Sequence, residues 1–564
     1  MRIRRLVVAA TISSALVAGV ISLPVATAAP SSRPSAGYTP PPVQWGACTV
    51  PRLVTAGAQC GYVVVPLDYD HPSGTKVQLA VSRVMHKTPD AQAQGPMLVN
   101  PGGPGGSGLI YAIFGDFVPN GAGDSYDWVG FDPRGVGSSK PALSCIPDYA
   151  GYNRPLYVPV TAQLEKTWLK RSKAYAKACD ADQHALLSHL KTIDSVRDME
   201  SIREALGAPQ INYYGFSYGT YLGQVYGTLY PDKLRRVVFD GVVDARRVWY
   251  QANLDQDIAF NKSVKVFFQY VAAHDSTWHL GKTEAVVELR YYAEMRKLIG
   301  HPADGKIGPD EWNDVFTQAA YYVYGWVDVA NAFAAWVHNH DAAPLVDLYG
   351  GPPFDDNGYA VYLAVQCTDA QMPTNWNTWR RDNWRTFAKA PFLTWNNAWF
   401  NAPCVYWPAK AGRPVKVDGS RVKSALLINE TLDPATPYSG ALQTRKTFPH
   451  AVLIEGVGGT THAGSLSGVT CTDDRIAAYL QTGALPPRKP GNHSDVQCDP
   501  VPAPEPAAVT TTSKSTAKAG APALRKGLGR VLPLRIPRST TRASTAPERI
   551  GAVLARPVQR SGRA

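Results

Sequence analysis

Gly215-Phe216-Ser217-Tyr218-Gly219 lies between an apolar run, Ile211–Tyr214, and a stretch from Tyr218 to Tyr230 that reads as a helix. This feature constrains the chain more than any other. A strand and a helix joined through Gly-x-Ser-x-Gly must make so tight a turn that the flanking positions tolerate little side chain. The serine is then held in strained backbone at the helix N-terminus, with its hydroxyl above a sheet and a dipole that favours negative charge there. The five residues alone are a loose pattern. Their place between strand and helix predicts a nucleophile, Ser217, over a Gly/Ser turn without chemistry.

A serine hydroxyl needs a base, and the base needs a carboxylate to orient it. After an elbow of this kind the acid precedes the histidine in the chain. Asp433 follows the apolar run Ser424–Asn429, at the end of a strand where such sites assemble, and His462 follows Ala451–Glu455 among small residues that let an imidazole reach the serine. These two are the expected acid and base. Asp240, Asp244 and Glu430 compete for the acid, and His450 and His493 for the base. An oxyanion needs main-chain donors. Tyr218, directly after the nucleophile, supplies one N–H. The loop Pro101-Gly102-Gly103-Pro104-Gly105 supplies the other, from Gly103 first and Gly102 second. No Gly-Lys-Ser/Thr ending and no Gly-x-Gly-x-x-Gly occurs in that loop, so it does not read as a nucleotide cradle. No cofactor and no metal is expected.

Gly61–Leu67, Val77–Met85, Met97–Val99, Trp128–Phe131 and Arg236–Phe239 read as further strands. Val196, Met199, Ile202 and Leu206 recur at helical spacing before Gly207. Strands alternating with helices predict an α/β chain, its mostly parallel sheet covered by helices on both faces. Residues 245–410 differ in texture. They hold 11 of the 14 tryptophans and their patterns are mainly helical, which predicts a folded insertion. The core is then 45–244 with 411–500, and the Pro/Ser-rich residues 29–44 form a loose arm.

Arg2, Arg4 and Arg5 precede an apolar run to about Leu23 and a small-residue cleavage site at Ala26-Thr27-Ala28, so residues 1–28 read as a secretory signal peptide. Residues 501–564 hold eight prolines and no aromatic residue, cysteine or histidine, and read as a disordered basic tail. Of the formal charge of +12, the tail carries +10 and the leader +3, which leaves about −1 for residues 29–500. That balance argues against a nucleic-acid partner for the folded part. The tail suits contact with an anionic cell envelope, or serves as a solubilising extension that proteases trim. Eight cysteines behind a leader imply disulfides in a secreted protein. The expected bridges are local and sequential: Cys48–Cys60, Cys145–Cys179, Cys367–Cys404 and Cys471–Cys498.

Asn100-Pro101-Gly102-Gly103-Pro104-Gly105-Gly106-Ser107-Gly108, Asp132-Pro133-Arg134-Gly135-Val136-Gly137-Ser138-Ser139, Gly215-Phe216-Ser217-Tyr218-Gly219-Thr220 and Asp433-Pro434-Ala435-Thr436-Pro437 follow one another in this order. The set resembles the secreted tripeptidyl aminopeptidase group of actinobacterial α/β-hydrolases, which is related to proline iminopeptidases. The resemblance runs from about Trp45 to Cys498. It implies an α/β-hydrolase fold whose insertion caps the site, and a serine exopeptidase that takes tripeptides from free N-termini. By motif position it implies Ser217, Asp433 and His462 as the triad, acting on peptides with free N-termini; a monomer is expected. Two features depart from the group: Gly459-Thr460-Thr461-His462-Ala463-Gly464 replaces its commoner Gly-x-Gly-His-Gly, and the basic tail lies outside its pattern. The motifs specify the family more than the substrate, and a carboxylesterase or lipase-like hydrolase is the alternative. An aminopeptidase also needs a carboxylate for the substrate's ammonium group. Glu284, Glu288, Asp328 and Asp369 are among the insertion's candidates, with none singled out.

Overall fold

The central strands are short and mostly apolar, which suits a sheet buried on both sides. A computed structural model of the protein describes residues 37–181, 183–350 and 356–506. The expected signal peptide, residues 29–36 of the arm and the tail from 507 onward lie outside the described residues. Ten strands form one sheet: β1 (Gly46–Ala47), β2 (Gln59–Pro66), β3 (Lys76–Val84), β4 (Pro96–Asn100), β5 (Asp127–Phe131), β6 (Ile211–Phe216), β7 (Leu234–Asp240), β8 (Ala425–Glu430), β9 (Ala451–Gly456) and β10 (Val496–Cys498). Their spatial order is β1-β2-β3-β5-β4-β6-β7-β8-β9-β10. The β1–β2, β2–β3 and β3–β5 pairs are antiparallel, and every other pair is parallel. The strand period of two sorts the apolar residues into two cores. Leu98, Tyr213, Val237, Leu427 and Leu453 face one, and Val99, Tyr214, Val238, Leu426 and Val452 face the other.

Between β7 and β8 the chain leaves the sheet and returns through a series of helices from Tyr250 to Asn401. Residues 260–349 build an apolar core of their own, whereas Tyr359, Leu363, Trp379, Trp395 and Trp399 join the core beneath the sheet. The insertion is thus seated on the α/β body through its second half. Asp369 fastens that seat. It accepts the Thr192 N–H (2.6 Å) and hydroxyl (2.5 Å) and the Trp249 indole N–H (3.1 Å). The structure bonds Cys48 to Cys60, Cys145 to Cys179, Cys367 to Cys404 and Cys471 to Cys498, with Cα–Cα separations of 4.4 to 5.6 Å.

Two boundaries read from composition need correction. Residues 37–44 of the arm are not loose: Val43 is buried in the main core, and the Tyr38 hydroxyl donates to the Val64 carbonyl at 2.6 Å. Residues 501–506 are not tail-like: Val501 is buried against the cap's core, its N–H donates to Glu430 Oε1 (3.0 Å), and the Pro504 carbonyl accepts from Tyr270 (2.6 Å). In both places one buried apolar side chain and one or two hydrogen bonds hold a Pro-rich segment whose average composition is that of a linker. Ending the chain at Asp499 is expected to cost about 2 kcal/mol of stability through Val501 alone. Ending it after Pro506 keeps these contacts, so in thermal unfolding only the shorter chain should melt early.

Candidate active site

β6 runs into the helix Tyr218–Leu229 at Ser217, whose φ of 55° and ψ of −126° are rare for any residue but glycine. The turn closes so sharply that a β-carbon at Gly215 would lie 2.5 Å from the Gly219 carbonyl oxygen, and one at Gly219 would lie 2.6 Å from that of Asn100. Ser217 is half-buried between buried neighbours. Its N–H donates to the Asp240 carbonyl at 2.9 Å, which fixes the turn to the end of β7.

Asp433 follows β8 and is 1% exposed. Its Oδ1 accepts the N–H groups of Ala435 and Thr436, each at 2.9 Å, and its Oδ2 accepts the Thr436 hydroxyl at 2.8 Å. The carboxylate is thereby oriented before it meets the imidazole. Nδ1 of His462, on the loop after β9, stands 2.9 and 3.0 Å from the two oxygens. Burial alone would lower the His462 pKa. Asp433, by charge and hydrogen bond, and the nearby Asp240 outweigh that and raise it. The imidazole is also close to the elbow. A β-carbon at Gly241, the residue after Asp240, would lie 2.9 Å from His462 Cε1. The cap closes over this ring: the Tyr321 carbonyl accepts the His462 main-chain N–H at 3.0 Å, and the Tyr321 and Tyr322 rings lie 5.9 and 6.2 Å from the imidazole.

The competing acids and bases fall elsewhere. Asp244 is paired with Arg246 at 2.7 Å. Glu430 faces glycines 456, 459 and 464 and Val501, and its burial pushes its pKa up to about 8. Asp240 is closer to the chemistry. Burial raises its pKa to about 6, and Oδ2 accepts the Ser465 N–H at 2.8 Å, so it ties the histidine loop to the end of β7, beside the elbow. His450 and His493 are exposed.

In the glycine loop the two candidate donors differ. Gly102 already donates to Asn100 Oδ1 at 2.9 Å. Gly103 has no acceptor for its N–H among the described residues, and its φ of 109° belongs to glycine. A β-carbon at Gly102 would lie 2.9 Å from both Ser217 Cβ and the Tyr218 nitrogen, so the loop passes directly over the elbow. Tyr218 opens its helix, where the first N–H groups lack intrahelical acceptors. Its side chain points away, to Thr192 at 2.8 Å.

Sequence reasoning gave no role to Asp132 and Arg134. Asp132 accepts from Ser107 (2.6 Å), Gly108 (2.9 Å) and Ser138 (2.8 Å), which pins the far end of the glycine loop. Arg134 is buried on Asp198, at 2.6 and 2.7 Å. Thr436 and the Tyr321–Tyr322 pair were also missed. Thr436, three residues past Asp433, was within reach of a reading based on local turn bonds. The tyrosines, more than a hundred residues away, carried no signal.

Comparison with known proteins agrees with this architecture. Residues 95–466 match the family model described as alpha/beta hydrolase fold. The chain is 39% identical over 478 residues to a tripeptidyl aminopeptidase of Streptomyces coelicolor, across 82% of this chain and 87% of that protein. It is 29% identical over 482 residues to the serine protease Hip1 of Mycobacterium tuberculosis, across 79% and 90%. It is 31% identical over 524 residues to carboxylesterase B of Mycobacterium tuberculosis, across 86% and 98%. The protein is a serine hydrolase that belongs to the tripeptidyl aminopeptidase family of α/β-hydrolases.

Proposed function

We propose that the protein is a secreted serine exopeptidase that releases tripeptides from free N-termini. The observation that carries this reading is the Asp433–His462 pair at 2.9 Å, set beside the Ser217 turn and roofed by the cap's Tyr321 and Tyr322. Ser217 attacks the scissile carbonyl while His462 Nε2 takes its proton. Asp433 holds Nδ1–H and stabilises the imidazolium. The N–H groups of Gly103 and Tyr218 receive the oxyanion. The imidazolium then protonates the leaving amine, and water activated by His462 releases the acyl group from Ser217. Secretion is supported by the leader-like N-terminus and by four disulfides, which persist in oxidising compartments.

The test compares an unblocked tripeptide anilide with its N-acetylated form. A buried charge contact with the N-terminus is expected to favour the unblocked substrate about a hundredfold or more in kcat/KM. Equal turnover of the two rejects the exopeptidase. The likeness to a carboxylesterase favours a second reading, because a triad does not choose between ester and amide. Rapid hydrolysis of acyl esters with no peptide cleaved would establish it instead.

A further inference from the structure

An exopeptidase must hold the substrate's ammonium group away from bulk water, and that calls for a carboxylate without a cation of its own. Most acids of the cap are committed. Glu284 and Glu288 lie 3.5 and 2.9 Å from Lys265, and Asp369 is bonded into the seat of the cap. Glu311 and Asp314 lie 3.3 and 2.8 Å from Arg154. Asp328 is half-exposed, so water solvates it.

Asp257 differs from all of them. It lies in the helix Tyr250–Ala273 and is 1% exposed. One oxygen accepts from Asn397 Nδ2 at 2.9 Å, and the other has no partner among the described residues. No cation among the described residues acts on it. The titratable groups around it are Asp255 and Tyr250 of its own helix and Tyr362 of the helix Asn357–Asp369. These two helices meet the helix Thr394–Asn401 in a largely buried polar layer. Tyr362 donates to Asn401 (3.1 Å), Asn401 to Asn397 (2.9 Å), and Asn397 to Asp257. This chain of donors ends at a carboxylate with one oxygen to spare.

The layer is continuous with the reacting centre on three sides. Gln256, next to Asp257, donates to the Ala435 carbonyl at 2.7 Å, two residues past the triad acid. Phe260, one turn on, packs edge-on against Tyr321 at 4.6 Å, and Tyr321 holds the His462 N–H. Gly358, one turn before Tyr362, abuts Gly105 of the glycine loop, where a β-carbon would lie 3.2 Å from the Gly358 Cα. Three extended residues span about 10 Å, so a tripeptide attacked at its third carbonyl carries its ammonium group up into the cap. We propose that Asp257 receives the α-ammonium group of the substrate, while Asn397 steadies the carboxylate's other oxygen. This assignment rests on the exopeptidase reading.

The experiment uses the full-length enzyme with Asp257→Asn. The substitution keeps the volume and the acceptor for Asn397 and removes the charge. Three substrates are compared: an unblocked tripeptide anilide, its N-acetylated form, and a small acyl ester that reports on the triad. The expected result is about a hundredfold loss of kcat/KM on the unblocked peptide, mostly through KM, so that the preference over the acetylated form disappears. Asp328→Asn is the control and keeps the wild-type preference. If Asp257→Asn does not fold, the smaller Asp257→Ser is put through the same comparison. A variant that retains the preference, or that loses all three activities equally, overturns the assignment of Asp257, as does loss of the preference in Asp328→Asn. A wild-type enzyme with no preference overturns the exopeptidase reading, and the role of Asp257 with it.

Discussion

Ser217→Ala is expected to lower kcat/KM on the unblocked tripeptide anilide by about 10⁵-fold while leaving the melting temperature nearly unchanged. The hydroxyl is the only atom removed, and none of the hydrogen bonds that fix the turn runs through it. The Ser217 N–H still reaches Asp240, and the Ser217 carbonyl still accepts from Thr220 (2.8 Å). What remains is the contribution of oxyanion donors and substrate binding, which act without a nucleophile. A loss of only a few fold, measured on protein free of wild type, would mean that another group attacks the carbonyl. A large fall in melting temperature would mean that the loss reflects folding.

That separation between local geometry and chemistry explains how much of the protein was legible in its sequence. The eight strands expected from short apolar runs all form, because a buried parallel strand announces itself in a handful of consecutive residues. β1 and β10 were not foreseen. They are two and three residues long, and each pairs beside a cysteine bridged within the same region. The turn at Ser217 was readable because its glycines are dictated by contacts within five residues and with the neighbouring strand end. The Asp433–His462 pair was readable because each residue lies on the loop that leaves a strand's C-terminal end. Asp257 was not. In sequence it is one of two acids, with Asp255, on a helix where an acid ordinarily marks the solvent side. It becomes conspicuous only once Asn397 and Tyr362, more than a hundred residues on, close over it. Val501 was hidden for the same reason, since nothing in a Pro/Ala-rich stretch reveals that Glu430 takes its N–H.

Asp433→Asn should cost about 10⁴-fold in kcat/KM and should also move the pH profile. Both oxygens of Asp433 face Nδ1 of His462, so the amide that replaces the carboxylate meets the ring whichever way it turns. Oδ1 accepts two main-chain N–H groups and Oδ2 one hydroxyl. An amide NH₂ in place of Oδ1 would face two donors, so it settles at the Oδ2 position, toward Nδ1. Nδ1 then becomes the acceptor, the ring proton shifts to Nε2, and the atom that should take the serine proton already carries one. The pH profile follows from the same contacts. The base acts when neutral, so activity falls as pH drops through the His462 pKa, which the wild-type enzyme holds above 6.5. Burial pulls that value down, and Asp433 together with Asp240 pulls it up past the ordinary one. With the Asp433 charge removed, burial prevails, and the acid limb of kcat/KM should move to lower pH. A residual activity with its acid limb unmoved would show that the carboxylate on His462 is not that of Asp433. Asp240, the other buried acid acting on that ring, would be the residue to replace next.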